Sequence, residues 1–430
     1  MLKVEQNELL TRTDHDTPMG QLLRRYWVPA LLAEELAEPD GPPVRVKLLG
    51  EELVGIRDSE GRLALLDEFC AHRGVSLFFG RNEECGLRCS YHGWKFDVEG
   101  HCVDMPSEPE ESNFKDRVTL KSYPAVEHGG IIWTYMGPPE HKPPLPELEW
   151  AMLPPEQRFI SKRWQESNWA QAMEGGIDSS HVSFTHRYGV EEDPMHAGTE
   201  GWTYIRADGH PRFEVAESDG GLYIGARRNT DDPNSYYWRI TQWLMPWYTI
   251  IPPFGTHNPM GAHAWVPIDH GNCWAWSINY HPSRPLRDDE VASMQAGEGI
   301  HTPTLPGTYH PVPNRANDYL IDRQAQREKR SFSGVLGLAA QDFSLQESMG
   351  PVVDRTKERL GTSDAAIIVA RRRLLRAAQL LRDKNEEPPG LDVASHHVRS
   401  TSLLLPKDEP FHVGAAEAMR SEPGTDFVSI

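Results

Sequence analysis

The sequence predicts an α+β protein in two parts: a small all-β domain, then a larger domain that mixes long strands with helices. Three observations carry this. Short β-type runs separated by turn residues fill the stretch from Val44 to Tyr135. A proline-rich seam, Gly137-Pro-Pro-Glu-His-Lys-Pro-Pro-Leu-Pro146, closes that stretch off. Beyond it, longer strand patterns alternate with helical ones. A length of 430 residues also exceeds one ordinary core. The expected division is a helical segment, 1–25, packing with the second domain; an all-β domain, 26–137; and an α+β domain, 138–430.

Thr17-Pro18 before Met19, Leu22, Leu23 and Tyr26 reads as an N-cap and first-turn proline opening a short helix. Val44–Leu49, Leu53–Arg57 and Leu63–Asp67 read as strands, with Gly50-Glu51 and Asp58-Ser-Glu-Gly61 as turns between them. Gly129-Gly130 precedes a further strand, Ile131–Tyr135. In the second part, Leu222–Arg227, Tyr236–Leu244 and Cys273–Tyr280 read as strands. A helix is expected from Asp364 to Asp383 with Ser363 as N-cap, on an apolar stripe of Ile367, Ala370, Leu374, Ala377 and Leu381. Arg371-Arg-Arg373 is expected on its solvated side. The last forty residues, rich in Pro, Ser and charge, are expected to form a loosely packed tail.

Against 44 Lys and Arg stand 63 Asp and Glu, a net charge of −19, which disfavours nucleic acid and anionic membrane surfaces as partners. No apolar run is long enough to span a bilayer, and the N-terminus lacks an apolar signal core. Five scattered cysteines do not read as a secreted disulfide framework. The expected location is the cytoplasm.

The strongest chemical signal is Cys70-Ala-His72-Arg-Gly74 followed by Cys89-Ser-Tyr-His92-Gly93-Trp94. Two thiolates and two imidazoles can hold a 2Fe–2S cluster with both sulfurs on one iron and both nitrogens on the other. They could also hold a structural zinc ion. Zinc sites of that type usually take a Cys pair and then a His pair. Here each loop supplies one of each, which suits two loops gripping a two-iron cluster from both sides. Gly74 and Gly93 suit backbone folded closely over inorganic sulfide. Cys85 and Cys102 read as packing thiols.

A second signal is Asn168-Trp-Ala-Gln-Ala-Met-Glu174-Gly-Gly-Ile-Asp178-Ser-Ser-His181-Val-Ser-Phe-Thr-His186. Two histidines five apart are weak evidence alone. Behind a cluster motif they point to the two-histidine, one-carboxylate triad of oxygen-activating Fe(II). Asp178, three residues before His181, would share a helical face with it and accept its other ring N–H. Glu174 is either near the metal or a helix-surface charge. The third ligand is left open by spacing among Asp342, Glu347 and Asp354.

The cluster motif, the 168–186 segment and Gln341-Asp342-x4-Glu347-Ser-Met-Gly-Pro351 together resemble the oxygenase (α) subunit of Rieske non-haem iron oxygenases, in their phthalate 4,5-dioxygenase-like branch. That resemblance implies an all-β Rieske domain and a catalytic domain with an antiparallel sheet and helices of helix-grip (START-like) type. It implies Cys70, His72, Cys89 and His92 as 2Fe–2S ligands, and His181, His186 and Asp342 as ligands of the mononuclear iron. It further implies that Asp178 bridges to His92 of a neighbouring subunit, so that electrons cross between subunits of a homotrimer or hexamer. The respiratory Rieske branch carries two extra cysteines where this chain has Val75 and Tyr91, and a serine where it has Trp94. Fewer hydrogen bonds to sulfur place the potential toward the low end of the Rieske range.

No G-x-G-x-x-G follows a strand, so flavin and nicotinamide are expected on a separate flavin- and 2Fe–2S-containing reductase fed by NADH or NADPH. The strand Tyr236–Trp243 places Tyr237, Arg239, Thr241 and Trp243 on one face. Arg239 among aromatics suits an aromatic acid, with a salt-bridged or cation–π arginine as the competing reading. Arg206, Arg212 and Arg227-Arg228 are weaker candidates. The expected reaction is dihydroxylation or hydroxylation of a phthalate- or benzoate-type acid with O2. The alternatives are O-demethylation of a methoxylated, lignin-derived acid and, outside enzymes, a Rieske electron carrier.

Overall fold

A computed structural model describes residues 1–109, 111–188, 199–421 and 427–430. The chain divides into two compact units, Thr13–Pro143 and Met1–Arg12 with Pro144–Ile430. The expected N-terminal segment 1–25 is thus split after Arg12. Thr13 onward joins the all-β unit because Met19, Leu22 and Leu23 are buried there. Arg24 also donates to Leu49 O and to Glu51 Oε1, both at 2.9 Å. Thr17 caps the helix Pro18–Leu23 as expected, its Oγ1 accepting from Gly20 N at 3.1 Å.

Among the described residues the smaller unit contains ten strands: β1 (Trp27–Leu32), β2 (Val44–Leu48), β3 (Glu51–Arg57), β4 (Leu63–Asp67), β5 (Arg81–Glu83), β6 (Gly86–Arg88), β7 (Lys95–Phe96), β8 (Cys102–Asp104), β9 (Ser122–His128) and β10 (Ile131–Tyr135). Six form one antiparallel sheet in the order β1-β10-β9-β4-β3-β2, and β5 to β8 form a second. The β2–β3 hairpin turns on Leu49 (φ 51°) and Gly50 (φ 84°), left-handed positions suited to a two-residue loop. A core of Val54, Ile56, Leu66, Leu77, Leu87 and Phe96 packs up to Cys70 and Cys89, so the cluster loops rest on rigid sheet.

The larger unit is built on an antiparallel sheet of β11 (Arg158–Gln165), β12 (Arg212–Glu217), β13 (Gly221–Asn229), β14 (Ser235–Leu244), β15 (Tyr248–Ile251), β16 (Met260–Pro267), β17 (Cys273–Tyr280) and β18 (Thr401–Pro406). The order is β11-β17-β16-β15-β14-β13-β12, with β18 also on β14. Its principal helices are α1 (Val4–Thr11), α2 (Trp169–Gly176), α3 (Leu338–Ser348) and α4 (Ala365–Lys384). No helix of the described residues is long and apolar enough to cross a membrane.

Four expectations are corrected here. The C-terminal segment is not a loose tail. β15 covers only Gln242–Leu244 of β14, and β18 pairs with the remaining edge from Ser235 to Ile240, while Phe411 stacks on Trp238 at 5.0 Å. Residues 422–426 of that segment lie outside the described residues. Arg371 is not solvated: it flanks the buried stripe of α4 and pairs with Glu174 (2.7 Å) and Glu358 (2.6 Å). Glu174 is accordingly neither a metal neighbour nor a surface charge. It is a buried carboxylate held between Arg371 and Arg355. The N-cap of α4 is Asp364 rather than Ser363.

Candidate functional site

Two six-residue loops bring the first four candidates together. Residues 70–75 are closed by the bridge between Phe69 and Ser76, and residues 89–94 by the Arg88–Lys95 pair of β6 and β7. Each loop begins with cysteine and has glycine fifth. In each, the cysteine N–H donates to the sixth residue's carbonyl (Cys70 to Val75, 2.9 Å; Cys89 to Trp94, 2.8 Å). In each, the glycine N–H returns to the cysteine carbonyl (Gly74, 2.9 Å; Gly93, 3.0 Å). Both glycines have positive φ, +72° and +79°, which side-chain-bearing residues resist. The loops are near-copies, differing in whether histidine is third or fourth.

The donor chemistry fits a two-metal cluster. Both sulfurs are buried, and burial followed by the neighbouring Cys89 pushes the Cys70 thiol up to about 11. A thiol raised in this way stays neutral unless a cation is supplied. His72 stacks on Trp94 (4.3 Å between centroids) and lies edge-on to His92 at 4.5 Å. Its buried Nδ1 has no hydrogen-bond partner among the described residues. Donors on a single zinc would sit within about 4 Å of one another. Among the described residues, the four donors here are not in a group of three converging within 4.8 Å.

The second set is organised by α2. Asn168 caps it, accepting from Ala170 N at 3.1 Å, and the helix stops at Gly176. A Cβ on Gly176 would lie 2.3 Å from Trp265, and one on Gly175 2.2 Å from Gln346, so these glycines let α2 press against β16 and α3. The contact expected between Asp178 and His181 is present, but not through a shared helix. Asp178 accepts from Ser180 N at 2.8 Å in a tight bend and turns its Oδ2 to within 3.7 Å of His181 Nδ1. His181 Nε2, His186 Nε2 and Asp342 Oδ1 converge at mutual distances of 3.2, 3.4 and 3.1 Å. Ligand atoms on adjacent octahedral positions of one divalent metal stand about 3 Å apart, so the three fit a facial triad. Although burial opposes it, the carboxylates of Asp178 and Asp342, facing its two ring nitrogens, raise His181 to about 10, and the two histidines hold Asp342 far below the usual carboxylate range. The site is built for positive charge.

Asp342 and both histidines open onto a cavity of about 1020 Å³ of space free of protein atoms, part of it continuous with solvent. Its wall includes Arg239, Thr241, Ile251, Phe254 and Trp265. The Arg239 guanidinium lies 4.3 Å over the Phe254 ring, and its Nη1 is buried without a hydrogen-bond partner among the described residues. No described carboxylate pairs with it. Burial lowers its pKa to about 10, the mark of a cation held without an anion. Arg228 is depressed to about 10 for the same reason, and its Nη2 donates to Ser179 O at the cavity wall.

Of the other candidates, Glu347 is engaged by Tyr319 (2.7 Å) and Glu166 N (2.9 Å), and Asp354 by Thr356 and Lys357, so neither reaches the triad. Arg227 pairs with Glu214, and Arg206 and Arg212 are exposed. Three residues of the site were given no role from the sequence. Arg163 of β11 lines the cavity and donates to Ser277 at 3.0 Å. His263 of β16 is pulled down to about 4 by burial and by Arg163. Gln341 meets His186 at 2.8 Å, and its only hint was adjacency to Asp342.

Residues 26–124 match the Rieske [2Fe-2S] domain family, and residues 134–425 match the family described as LigXa C-terminal domain like. The chain is 38% identical over 419 residues to the oxygenase subunit of 3-chlorobenzoate-3,4-dioxygenase from Comamonas testosteroni, covering 95% of this chain and 96% of that one. It is 39% identical over 386 residues to the oxygenase subunit of phthalate 4,5-dioxygenase from Pseudomonas putida, covering 88% and 86%. In fold it resembles dicamba monooxygenase bound to dicamba (TM-score 0.59, 18% identity, covering 85% of this chain and 100% of that one). It likewise resembles the oxygenase of carbazole 1,9a-dioxygenase in complex with ferredoxin (TM-score 0.55, 20% identity, 89% and 93%).

Proposed function

The chain belongs to the Rieske non-haem iron oxygenases as an oxygenase subunit, and we propose that it oxygenates an aromatic carboxylic acid of phthalate or benzoate type. The observation that carries the substrate class is Arg239, a buried guanidinium facing the cavity with no described carboxylate against it. A substrate carboxylate supplies the missing anion through a charge-assisted, bidentate contact. Phe254 and Trp265 supply apolar wall for the ring.

The cofactors of this oxygenase are a Rieske 2Fe–2S cluster and a mononuclear non-haem iron. We assign the cluster to Cys70, His72, Cys89 and His92 in the 13–143 unit, and the iron to His181, His186 and Asp342 in the 144–430 unit. When bound, the two groups supply one-electron transfer and dioxygen activation. The chain's own part is placement. Arg239 fixes the acid end of the substrate, the aromatic wall orients the ring toward Asp342 and the histidines, and Asp178 holds the His181 ring by its Nδ1–H.

As the oxygenase component of a multicomponent system, the protein takes electrons from a separate partner. We assign that role to a flavin- and 2Fe–2S-containing reductase. About a quarter of the Asp178 side chain is exposed, which leaves it room to accept a hydrogen bond from His92 of a neighbouring copy; the assembly would then be at least a trimer.

Oxygen uptake with a surrogate reductase tests the substrate class. Phthalates, chlorobenzoates, methoxybenzoates and larger lignin-type acids are compared with neutral arenes of the same ring. Coupled uptake with acids alone is expected. Turnover confined to neutral arenes would overturn the role of Arg239.

A further inference from the structure

The two histidines of the triad are held from behind by different chemistry. His181 has a carboxylate, Asp178, at 3.7 Å from its Nδ1. His186 has a carboxamide: its Nδ1 lies 2.8 Å from Gln341 Oε1. We propose that Gln341 is a positioning residue of this centre, orienting the His186 ring so that Nε2 faces Asp342 and His181 while adding no charge.

The orientation of the amide follows from its surroundings. Gln341 is buried, and its Nε2 donates to Val335 O at 3.1 Å. That carbonyl is itself held by Ser331 Oγ at 2.8 Å. With the amide reversed, its oxygen would face the Val335 carbonyl oxygen, and its NH2 would face His186. Only the observed orientation satisfies both ends, so the Oε1 side must accept, and His186 Nδ1 must carry the proton. Its Nε2 then presents a lone pair to Asp342 Oδ1 and to His181 Nε2. Gln341 therefore acts through His186 and not on the substrate.

Its place in the chain gives it reach. Gln341 precedes Asp342 on α3, so one helix delivers both a ligand and the group that aims another. Charge explains why an amide stands there. Asp178 and Asp342 already contribute two negative charges, which balance a divalent ion. A third carboxylate would make the centre anionic beside a cavity that must also admit an acid.

This inference rests on the reading of His181, His186 and Asp342 as the iron ligands, and the experiment separates the two. Iron affinity is measured anaerobically by chelator competition on the full protein, with the visible spectrum of the 2Fe–2S cluster as the folding control. Gln341→Met, similar in size but unable to accept from Nδ1–H, should lose about 10- to 100-fold in iron affinity with the cluster spectrum intact. Gln341→Asn, one methylene too short, serves the same purpose if the first variant is insoluble. Gln341→Glu should restore iron binding and lower the reduction potential of the mononuclear iron. Wild-type iron affinity in Gln341→Met or Gln341→Asn would overturn the positioning role, and an unchanged potential in Gln341→Glu would overturn the charge argument. If His186→Ala also keeps its iron, the ligand reading fails instead.

Discussion

The Nε2 atoms of His181 and His186 lie 3.2 Å apart, each in a ring whose other nitrogen is engaged from behind. With both lone pairs turned toward Asp342 Oδ1, these two atoms and the carboxylate would hold one divalent cation on three adjacent positions. The geometry of the centre is thus legible from hydrogen bonding alone.

Asp178→Asn should keep both metal groups loaded, because neither depends on the carboxylate as a ligand. Turnover should fall about 10- to 100-fold, since the amide holds His181 less firmly and offers a poorer acceptor to the neighbouring subunit. Rapid-mixing measurements should show normal cluster reduction followed by slow oxidation in the presence of substrate and O2. Normal turnover in this variant would remove the bridge from the account.

Arg239→Leu removes a buried cation that has no described carboxylate partner. Binding of an aromatic acid should weaken by about 1.5–3 kcal/mol, a roughly 10- to 150-fold rise in KM. The thermal midpoint of the substrate-free protein should hold or rise, because the fold no longer bears an unpaired charge. An unchanged KM across the acid panel would contradict the assignment.

Glu174→Gln leaves Arg355 and Arg371 buried against a neutral amide, and breaking such a pair costs about 3–5 kcal/mol. Burial works to raise the Glu174 pKa, but Arg355 and Arg371 bring it below its ordinary 4.5. A carboxylate depressed in the folded state stabilises above its unfolded pKa and loses that effect as the pH falls through the folded one. Urea titrations should therefore separate wild type from variant at pH 7, with the gap closing below about pH 4.5. A constant gap would place the stabilisation elsewhere.

What could be read from the sequence follows the range of the interactions. The two Cys-His loops are local, closed within six residues each, so their spacing alone revealed them. His181 and His186 share one segment, but their spacing pointed to a metal only because the cluster motif precedes it. Asp342 was chosen from Glu347 and Asp354 by family resemblance, because its approach depends on α3 meeting α2. Arg163, His263 and Gln341 were missed, since each depends on strand or helix neighbours far away in the chain. Arg371 was misread because helical periodicity puts it at the margin of the buried stripe, and only the carboxylates of Glu174 and Glu358 draw it inside. The C-terminal strand was missed for a similar reason: its partner is the free edge of β14.

The most direct test of the account is iron content per chain, read with the high-spin signal of the nitric oxide adduct of the reduced protein. Wild type should hold about three irons per chain and give the adduct signal. Asp342→Ala and His186→Ala should each hold about two, keep the full 2Fe–2S spectrum and lose the adduct. Retention of about three irons and an unchanged adduct in both variants would show that this triad is not the oxygen-activating centre.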